Sequence, residues 1–176
     1  MSGKHVRYFF AVVGAVLCAA ACGNDLYALS ERMRGEEEYS REGSVAAPEF
    51  ALKNSDGEIY TLSQYRDRKS VILFFWTSWC VNCREGIRVL DEMYPRISKE
   101  NFEVFAINVG EDKGKVARFV QARKLRFKVL LDPGTETAAD FRLVGVPTYV
   151  IIDKKGYVRF YGHFFPRDDF RRLAGE

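Results

Sequence analysis

Trp79-Cys80-Val81-Asn82-Cys83 is the motif around which this chain of 176 residues is organised. It follows the apolar run 71–76, which predicts a buried strand, and precedes 84–94, whose apolar residues recur at helical spacing. A C-x-x-C at a strand-to-helix junction is typical of a thiol–disulfide redox site. The unpaired N–H groups at a helix N-terminus favour a thiolate, and the second cysteine, one turn on, can close a disulfide with the first.

The composition is that of an ordinary globular protein. Hydrophobic residues make up 47% of the chain and charged residues 29%, and the length is sufficient for one domain with a proper core plus an additional segment. The formal net charge is only +3, so no strong field of one sign indicates a nucleic-acid partner.

The first 22 residues have the features of an export signal. Lys4 and Arg7 form a basic start, 8–21 carries no charge, and three alanines stand where a signal peptidase cuts. The sequence Ala-Ala-Ala-Cys22 resembles a bacterial lipoprotein signal, which implies that Cys22 is lipidated and anchors the protein to a membrane. A plain secreted protein cut after Ala21 and an uncleaved anchor are the alternatives, and all three place the domain in the periplasm or cell envelope.

The chain is expected to have three parts. Residues 1–22 are a signal peptide of the lipoprotein type, and residues 23–46, which are sparse in apolar side chains, are a linker or tether. Residues 47–176 are the folded domain. Outside the cytoplasm a C-x-x-C has the alternative role of a structural disulfide, but a bridge across so short a loop contributes little chain entropy. A redox role is therefore favoured.

The order of predicted elements indicates an α/β domain with a mixed sheet. A hairpin over 50–61 is followed by alternating strands and helices, and a second hairpin with the turn Lys154-Lys155-Gly156 closes the sheet before a last helix over 167–173. Asp112 is predicted to cap the helix that follows it, and Pro95 to kink or stop the helix after the C-x-x-C. Such alternation places helices on both faces of the sheet.

Two separated segments resemble those of a known family. The segment 75–84 is similar to the active-site segment of thioredoxin-fold proteins, and Gly145-Val146-Pro147-Thr148 to their cis-proline loop. The similarity is greatest to the extracytoplasmic TlpA/ResA-like group of the AhpC/TSA–redoxin superfamily, which includes cytochrome c maturation reductases. The segment 47–52 resembles the group's N-terminal β-hairpin and 102–124 its inserted strand–helix. The resemblance extends over 47–176 and implies a thioredoxin-like fold.

The resemblance also implies a role for each residue of the site. Cys80 is the exposed nucleophile that attacks a substrate disulfide, and Cys83 is the buried thiol that resolves the mixed disulfide. Trp79 forms an apolar lip for the substrate. Val146 and Pro147, joined by a cis peptide bond, contact an extended substrate. The alternative for Pro147 is an ordinary proline at the start of a strand.

Three positions depart from the family pattern. Phe74 stands where an Asp or Asn is usual, six residues before the first cysteine, and Gly86 where a Glu is usual, three residues after the second. Arg88 replaces a helix-kinking proline. The first two changes remove groups that exchange a proton near the buried thiol, so regeneration of the reduced site is expected to be slow or to use water or Glu85.

The leading hypothesis is a tethered reductase that acts on disulfides of extracytoplasmic proteins, with electrons from a membrane thiol-transfer protein. No cofactor is expected beyond the Cys80–Cys83 couple, and no metal site, since further ligands at suitable spacing are missing. His163 has no partner motif and is expected to be a surface or core group.

Two other functions stay open. A thiol peroxidase is one, because Thr77 lies three residues before the first cysteine, as in the peroxiredoxin pattern. A non-catalytic module for binding or assembly that keeps the thioredoxin fold is the other, and Phe74 and Gly86 are the observations in its favour.

Overall fold

The computed structural model describes residues 45–175. The strands of this part are β1 (Ala51–Asn54), β2 (Ile59–Thr61), β3 (Ser70–Trp76), β4 (Phe102–Val109), β5 (Lys128–Asp132), β6 (Thr148–Ile152) and β7 (Val158–Gly162). Its helices are α1 (Val81–Lys99), α2 (Lys113–Arg123), α3 (Glu136–Asp140) and α4 (Phe170–Ala174), with a 3₁₀ turn at Ser63–Tyr65. The predicted order of strands and helices is confirmed.

All these strands join one mixed sheet in the order β2-β1-β5-β4-β3-β6-β7. Strands β3, β4 and β5 are parallel neighbours, whereas β6, β7 and the β1–β2 hairpin pair antiparallel. Every residue of β3 is buried, because the strand is covered by other strands at its edges and by side chains on both faces. This position explains why the sequence of β3 is apolar without alternation.

Helices cover both faces of the sheet, as predicted. On one face, α1, α2 and α4 pack over Phe74 and Trp76 of β3. On the other face, Phe75 contacts Phe141, which follows α3, with ring centroids 5.4 Å apart. Burial of this apolar surface, worth roughly 25 cal/mol per Å², holds α1 and its N-terminal cysteines in a fixed position above the end of β3.

The predicted N-terminal hairpin is present and extends the sheet beyond β5, with which β1 pairs. The ring of Phe105 on β4 is surrounded by those of Phe50, Tyr60 and Tyr65, with centroid distances of 6.0, 5.8 and 5.2 Å. These aromatic contacts attach the hairpin and the 3₁₀ turn to the sheet. The segment 102–124 that follows forms β4 and α2.

Asp112 caps α2 as predicted. Its Oδ1 accepts the N–H groups of Gly114 at 2.8 Å and Lys115 at 3.3 Å, which satisfies two of the backbone donors that a helix leaves free at its start.

Pro95 does not stop α1, so of the two predicted outcomes the stop is wrong. The helix continues to Lys99. Pro95 has no N–H for the carbonyl of Asp91 four residues earlier. Arg126 supplies a donor to that carbonyl through Nη2, and its guanidinium also pairs with the Asp91 carboxylate at 3.1 Å. The backbone group that the proline leaves unpaired is thus satisfied from the loop before β5.

The predicted signal peptide 1–22 with Cys22, and nearly all of the predicted tether 23–46, lie outside the described residues. Within 45–175, no helix combines the length and the apolar character needed to cross a bilayer.

Candidate active site

Cys80 is the N-cap residue of α1, at the end of the short loop that follows β3. Its backbone is extended, with φ −74° and ψ 120°, and its Sγ accepts the N–H of Cys83 at 3.2 Å. The neighbours Trp79 and Val81 are 67% and 69% exposed. The Cys80 sulfur therefore combines a helix N-terminal donor with a position that a protein disulfide can reach.

Cys83 lies one turn further along α1 and is fully buried. Burial raises the pKa of its thiol to about 12; the hydrogen bond with Cys80 and the charge of Glu111 act in the same direction, whereas a backbone hydrogen bond from Thr77 opposes them. Both thiols are free, so the structure represents the reduced couple. The predicted contrast between an accessible first cysteine and a buried second one is present.

The loop before β6 lies against this pair. The peptide bond between Val146 and Pro147 is cis, as predicted. The Cys80 thiol donates to the Val146 carbonyl oxygen at 3.8 Å, and Thr148 Oγ1 donates to the Gly145 carbonyl at 2.7 Å. The structure thus brings together Cys80, Cys83, Val146 and Pro147.

His163 contacts this loop, which the sequence did not indicate. Its Nδ1 lies 2.7 Å from the carbonyl oxygen of Pro147. Because a carbonyl oxygen only accepts, Nδ1 carries the hydrogen and donates it. The side chain follows β7, so it ties the cis-proline loop to the neighbouring strand.

The places of the two missing family side chains are filled by aromatic packing. Phe74 stacks on Tyr149, its partner across β3 and β6, with centroids 4.7 Å apart and planes 28° apart. A Cβ on Gly86 would lie 2.4 Å from Tyr149 Oη and 2.8 Å from Phe74 Cζ. A side chain at position 86 is therefore excluded by the tyrosine hydroxyl, whose pKa is raised by burial and by the nearby Cys83.

Glu85 is not placed to act on the buried thiol. Its side chain is exposed, and its carboxylate pairs with Arg88 at 2.6 Å, an interaction that lowers the pKa of Glu85. Arg88 in turn pairs with Glu92 one turn further along the helix. These three residues form an exposed ion-pair row on α1, away from the core in which Cys83 lies.

Glu111, which the sequence analysis did not identify, provides a buried carboxylate beside the site. It accepts from Ser78 N at 2.5 Å, Ser78 Oγ at 2.8 Å and Asn108 Nδ2 at 2.7 Å, and pairs with Lys115 at 2.6 Å. Burial raises its pKa, but the hydrogen bonds from Asn108, Lys115 and Ser78 outweigh burial and lower the pKa to about 2. One signal was available: Asn108 and Glu111 follow the carboxyl end of a parallel strand, where sites collect in α/β sheets.

The carboxyl ends of β3 and β4 hold further buried polar atoms. Within the part of the chain that the structure describes, Trp76 Nε1, Thr77 Oγ1 and Asn108 Oδ1 are buried without a hydrogen-bond partner. The Thr77 hydroxyl therefore makes no hydrogen bond to Cys80.

For the range 45–175, no group of three or more His, Cys, Asp or Glu side chains is arranged to hold a metal ion.

Comparisons with known proteins identify the family of this chain. A model of the AhpC/TSA family matches residues 44–161. The thiol-disulfide oxidoreductase ResA of Geobacillus thermodenitrificans is 33% identical over 156 residues, which cover 89% of this chain and 87% of ResA. ResA of Bacillus subtilis is 31% identical over 156 residues, which cover 88% of this chain and 84% of that ResA. A candidate thiol:disulfide interchange protein DsbE from Chlorobium tepidum superposes with a TM-score of 0.66 at 29% identity, covering 77% of this chain and 95% of that one.

The contact between Gly86 and Tyr149 makes a prediction about stability. The methyl group of Gly86→Ala would overlap Tyr149 Oη and Phe74 Cζ, at 2.4 and 2.8 Å. We expect the free energy of unfolding to fall by about 1–3 kcal/mol, because overpacking outweighs the gain in helix propensity. Urea denaturation followed by far-UV circular dichroism measures the change.

Gly114→Ala is the matched control, since Gly114 is also helical. Its Cβ would lie 3.1 Å from Asp112 Oδ1 and 3.7 Å from Arg118 Nη1, so we expect a smaller loss of stability than for Gly86→Ala, whose nearest contact is 2.4 Å. Adding Tyr149→Phe to Gly86→Ala removes the shortest contact and should restore part of the lost stability. Wild-type stability of Gly86→Ala would contradict the packing described.

Glu111 is predicted to make the fold sensitive to acid. Because its pKa is about 2 in the folded state against an ordinary 4.5, only the unfolded chain binds a proton between these values. The stability that Glu111 contributes is complete above pH 4.5 and is lost as the pH falls towards 2, by up to about 3 kcal/mol. Urea denaturation at about pH 5 and about pH 3 should show a smaller acid loss for Glu111→Gln than for the wild type. An unchanged loss would refute the assignment.

Proposed function

We propose that this chain, which belongs to the AhpC/TSA family, reduces disulfide bonds of proteins outside the cytoplasm. It is a thiol-disulfide oxidoreductase, like its ResA relatives. The observation that carries the proposal is the arrangement of Cys80 and Cys83, in which the accessible sulfur accepts the backbone N–H of the buried cysteine at 3.2 Å.

In the first step, the Cys80 thiolate attacks one sulfur of the substrate disulfide. The substrate S–S bond breaks, a mixed disulfide forms with Cys80, and the other substrate sulfur leaves as a thiolate that takes a proton from water. The helix N-terminus stabilises negative charge on Cys80 before the attack. The exposed side chain of Trp79 and the backbone of Val146, 3.8 Å from the Cys80 sulfur, are the substrate contacts in this proposal.

In the second step, the Cys83 thiol loses its proton and attacks the Cys80 sulfur. The mixed disulfide breaks, the second substrate sulfur leaves and is protonated, and a Cys80–Cys83 disulfide remains. The substrate has gained two electrons and two protons, and the couple has lost them. Because burial raises the pKa of Cys83 to about 12, this deprotonation is the demanding event of the cycle.

An external dithiol must return the two electrons by the reverse sequence of exchanges. In this proposal the donor is a membrane thiol-transfer protein and the substrates are extracytoplasmic proteins, in line with the cytochrome c maturation reductases of the group that the chain resembles. Pro147 keeps the substrate strand next to the couple, and the couple acts without a further cofactor.

The membrane attachment is part of the same proposal. Cleavage before Cys22 and lipidation of its thiol would leave 23–46 as a tether that holds the domain at the surface of a periplasmic or cell-envelope membrane. Its support is the charge-free run 8–21, which is followed directly by Cys22.

Trapping tests the proposed reaction. With Cys83→Ala, the first step proceeds and the second cannot, so client proteins should accumulate as mixed disulfides with Cys80. Mass spectrometry of non-reduced adducts, purified from cells that produce the full chain, identifies the clients.

The double variant Cys80→Ala/Cys83→Ala is the matched control and should hold no adduct. If Cys83→Ala yields no more adduct than this control, the reductase proposal is wrong.

The anchor proposal predicts the mature N-terminus. In a bacterial host that carries out lipoprotein processing, the full chain should fractionate with membranes, and its first peptide should begin at Cys22 with the added mass of lipid. Cys22→Ala should move the protein to the soluble extracytoplasmic fraction. Retention of 1–21 in the mature protein would refute the proposed processing.

A further inference from the structure

We propose that Glu111 is a positioning residue for the redox site: its carboxylate fixes the segment that presents Cys80 and sets the redox equilibrium of the cysteine couple. This inference rests on the proposed function, since it assigns a role in the same thiol–disulfide exchange.

Ser78, two residues before Cys80, is held by both of its donors. Its N–H reaches Glu111 Oε2 at 2.5 Å and its hydroxyl reaches Oε1 at 2.8 Å. A backbone group and a side chain of one residue thus bind the two oxygens of a single carboxylate. Hydrogen bonds to an ionised acceptor are stronger than neutral ones, so the direction in which the chain approaches α1 is fixed.

The carboxylate itself is held by the sheet and by α2. Asn108, near the carboxyl end of β4, donates to Oε2 at 2.7 Å, and Lys115, in the first turn of α2, pairs with Oε1 at 2.6 Å. The chain reverses at Gly110, where φ is +69°, and the Gly110 N–H donates to the Asp132 carbonyl at 2.9 Å. Glu111 is only 7% exposed. The carboxylate that binds Ser78 is therefore held in place by the sheet and by α2.

The same segment affects the second sulfur. Thr77, which precedes Ser78, contributes the backbone hydrogen bond that lowers the pKa of Cys83, whereas the charge of Glu111 raises it. In the proposed reaction the reduced couple carries a thiolate, whereas the disulfide carries no charge. Removal of the Glu111 charge, which contacts Ser78 two residues before Cys80, should therefore favour the reduced couple and make it a stronger oxidant.

Glu111→Gln tests the proposal because it removes the charge and keeps the size. The full chain is equilibrated with reduced and oxidised glutathione, quenched with acid and alkylated, and the state of the couple is read from the mass of the tryptic peptide 70–84. We expect the equilibrium to shift toward the dithiol by roughly three- to tenfold. The amide also places an N–H where the carboxylate accepted, so kcat/KM for reduction of insulin disulfides should fall about tenfold.

Glu103→Gln is the matched control. Glu103 is a similarly buried glutamate on β4, the strand that leads to Glu111; it is 6% exposed and also pairs with lysines, Lys69 and Lys128. It lies at the opposite end of β4, away from Ser78. We expect this variant to lose stability while the glutathione equilibrium and kcat/KM stay within about twofold of the wild type.

Ser78→Ala distinguishes the effect of the Ser78 contact from the effect of the Glu111 charge. It also tests the proposal if Glu111→Gln does not fold. It removes one hydrogen bond to the carboxylate and keeps the charge, so kcat/KM should fall about threefold while the glutathione equilibrium stays within about twofold. In the double variant Glu111→Gln/Ser78→Ala, the loss of kcat/KM should be smaller than the product of the two single losses, because both substitutions act through the same contact.

The inference is overturned if Glu111→Gln and Ser78→Ala both stay within about twofold of the wild type in kcat/KM, or if Glu103→Gln shifts the glutathione equilibrium as much as Glu111→Gln. A wild-type chain that reduces no protein disulfide would refute the proposed function instead. The glutathione equilibrium requires no protein substrate and would still test Glu111.

Discussion

The site depends on one hydrogen bond, from the Cys83 N–H to the Cys80 sulfur, at 3.2 Å. It forms because the buried strand β3 ends at Trp76 and α1 begins only a few residues later, at Val81. Cys80 therefore falls on the N-cap, where a helix offers free donors, and Cys83 falls one turn deeper, inside the core. The division between an attacking and a resolving thiol follows from this geometry.

Apolar and polar groups lie at different positions along β3. Near the middle of this strand, Phe74 stacks on Tyr149 of β6. The two rings occupy the space beside Gly86, so no carboxylate can approach the buried thiol from that side. At the carboxyl end of the strand, Glu111 and Asn108 supply polar contacts to the segment before Cys80. The acidic group that contacts the segment before Cys80 thus comes from the end of the sheet and not from α1.

Features set by local sequence were predicted correctly, and features set by distant contacts were not. The buried strand β3 and the Asp112 cap each follow from a few neighbouring residues, whereas the cis bond before Pro147 was expected from the resemblance of 145–148 to the family's cis-proline loop. The contacts of Glu111 with Ser78 and of His163 with Pro147 join residues 33 and 16 positions apart, which no periodicity reveals. The predicted stop at Pro95 was wrong for the same reason, because the donor that compensates for the proline, Arg126, belongs to another element.

The central claim is that Cys80 and Cys83 form a reducing couple. The reduction potential of the purified full chain, determined against glutathione from the oxidation state of peptide 70–84, tests it most directly. We expect a value of about −270 mV, at which a dithiol donates electrons to protein disulfides. A value of about −120 mV, typical of a disulfide donor, would contradict a reducing role.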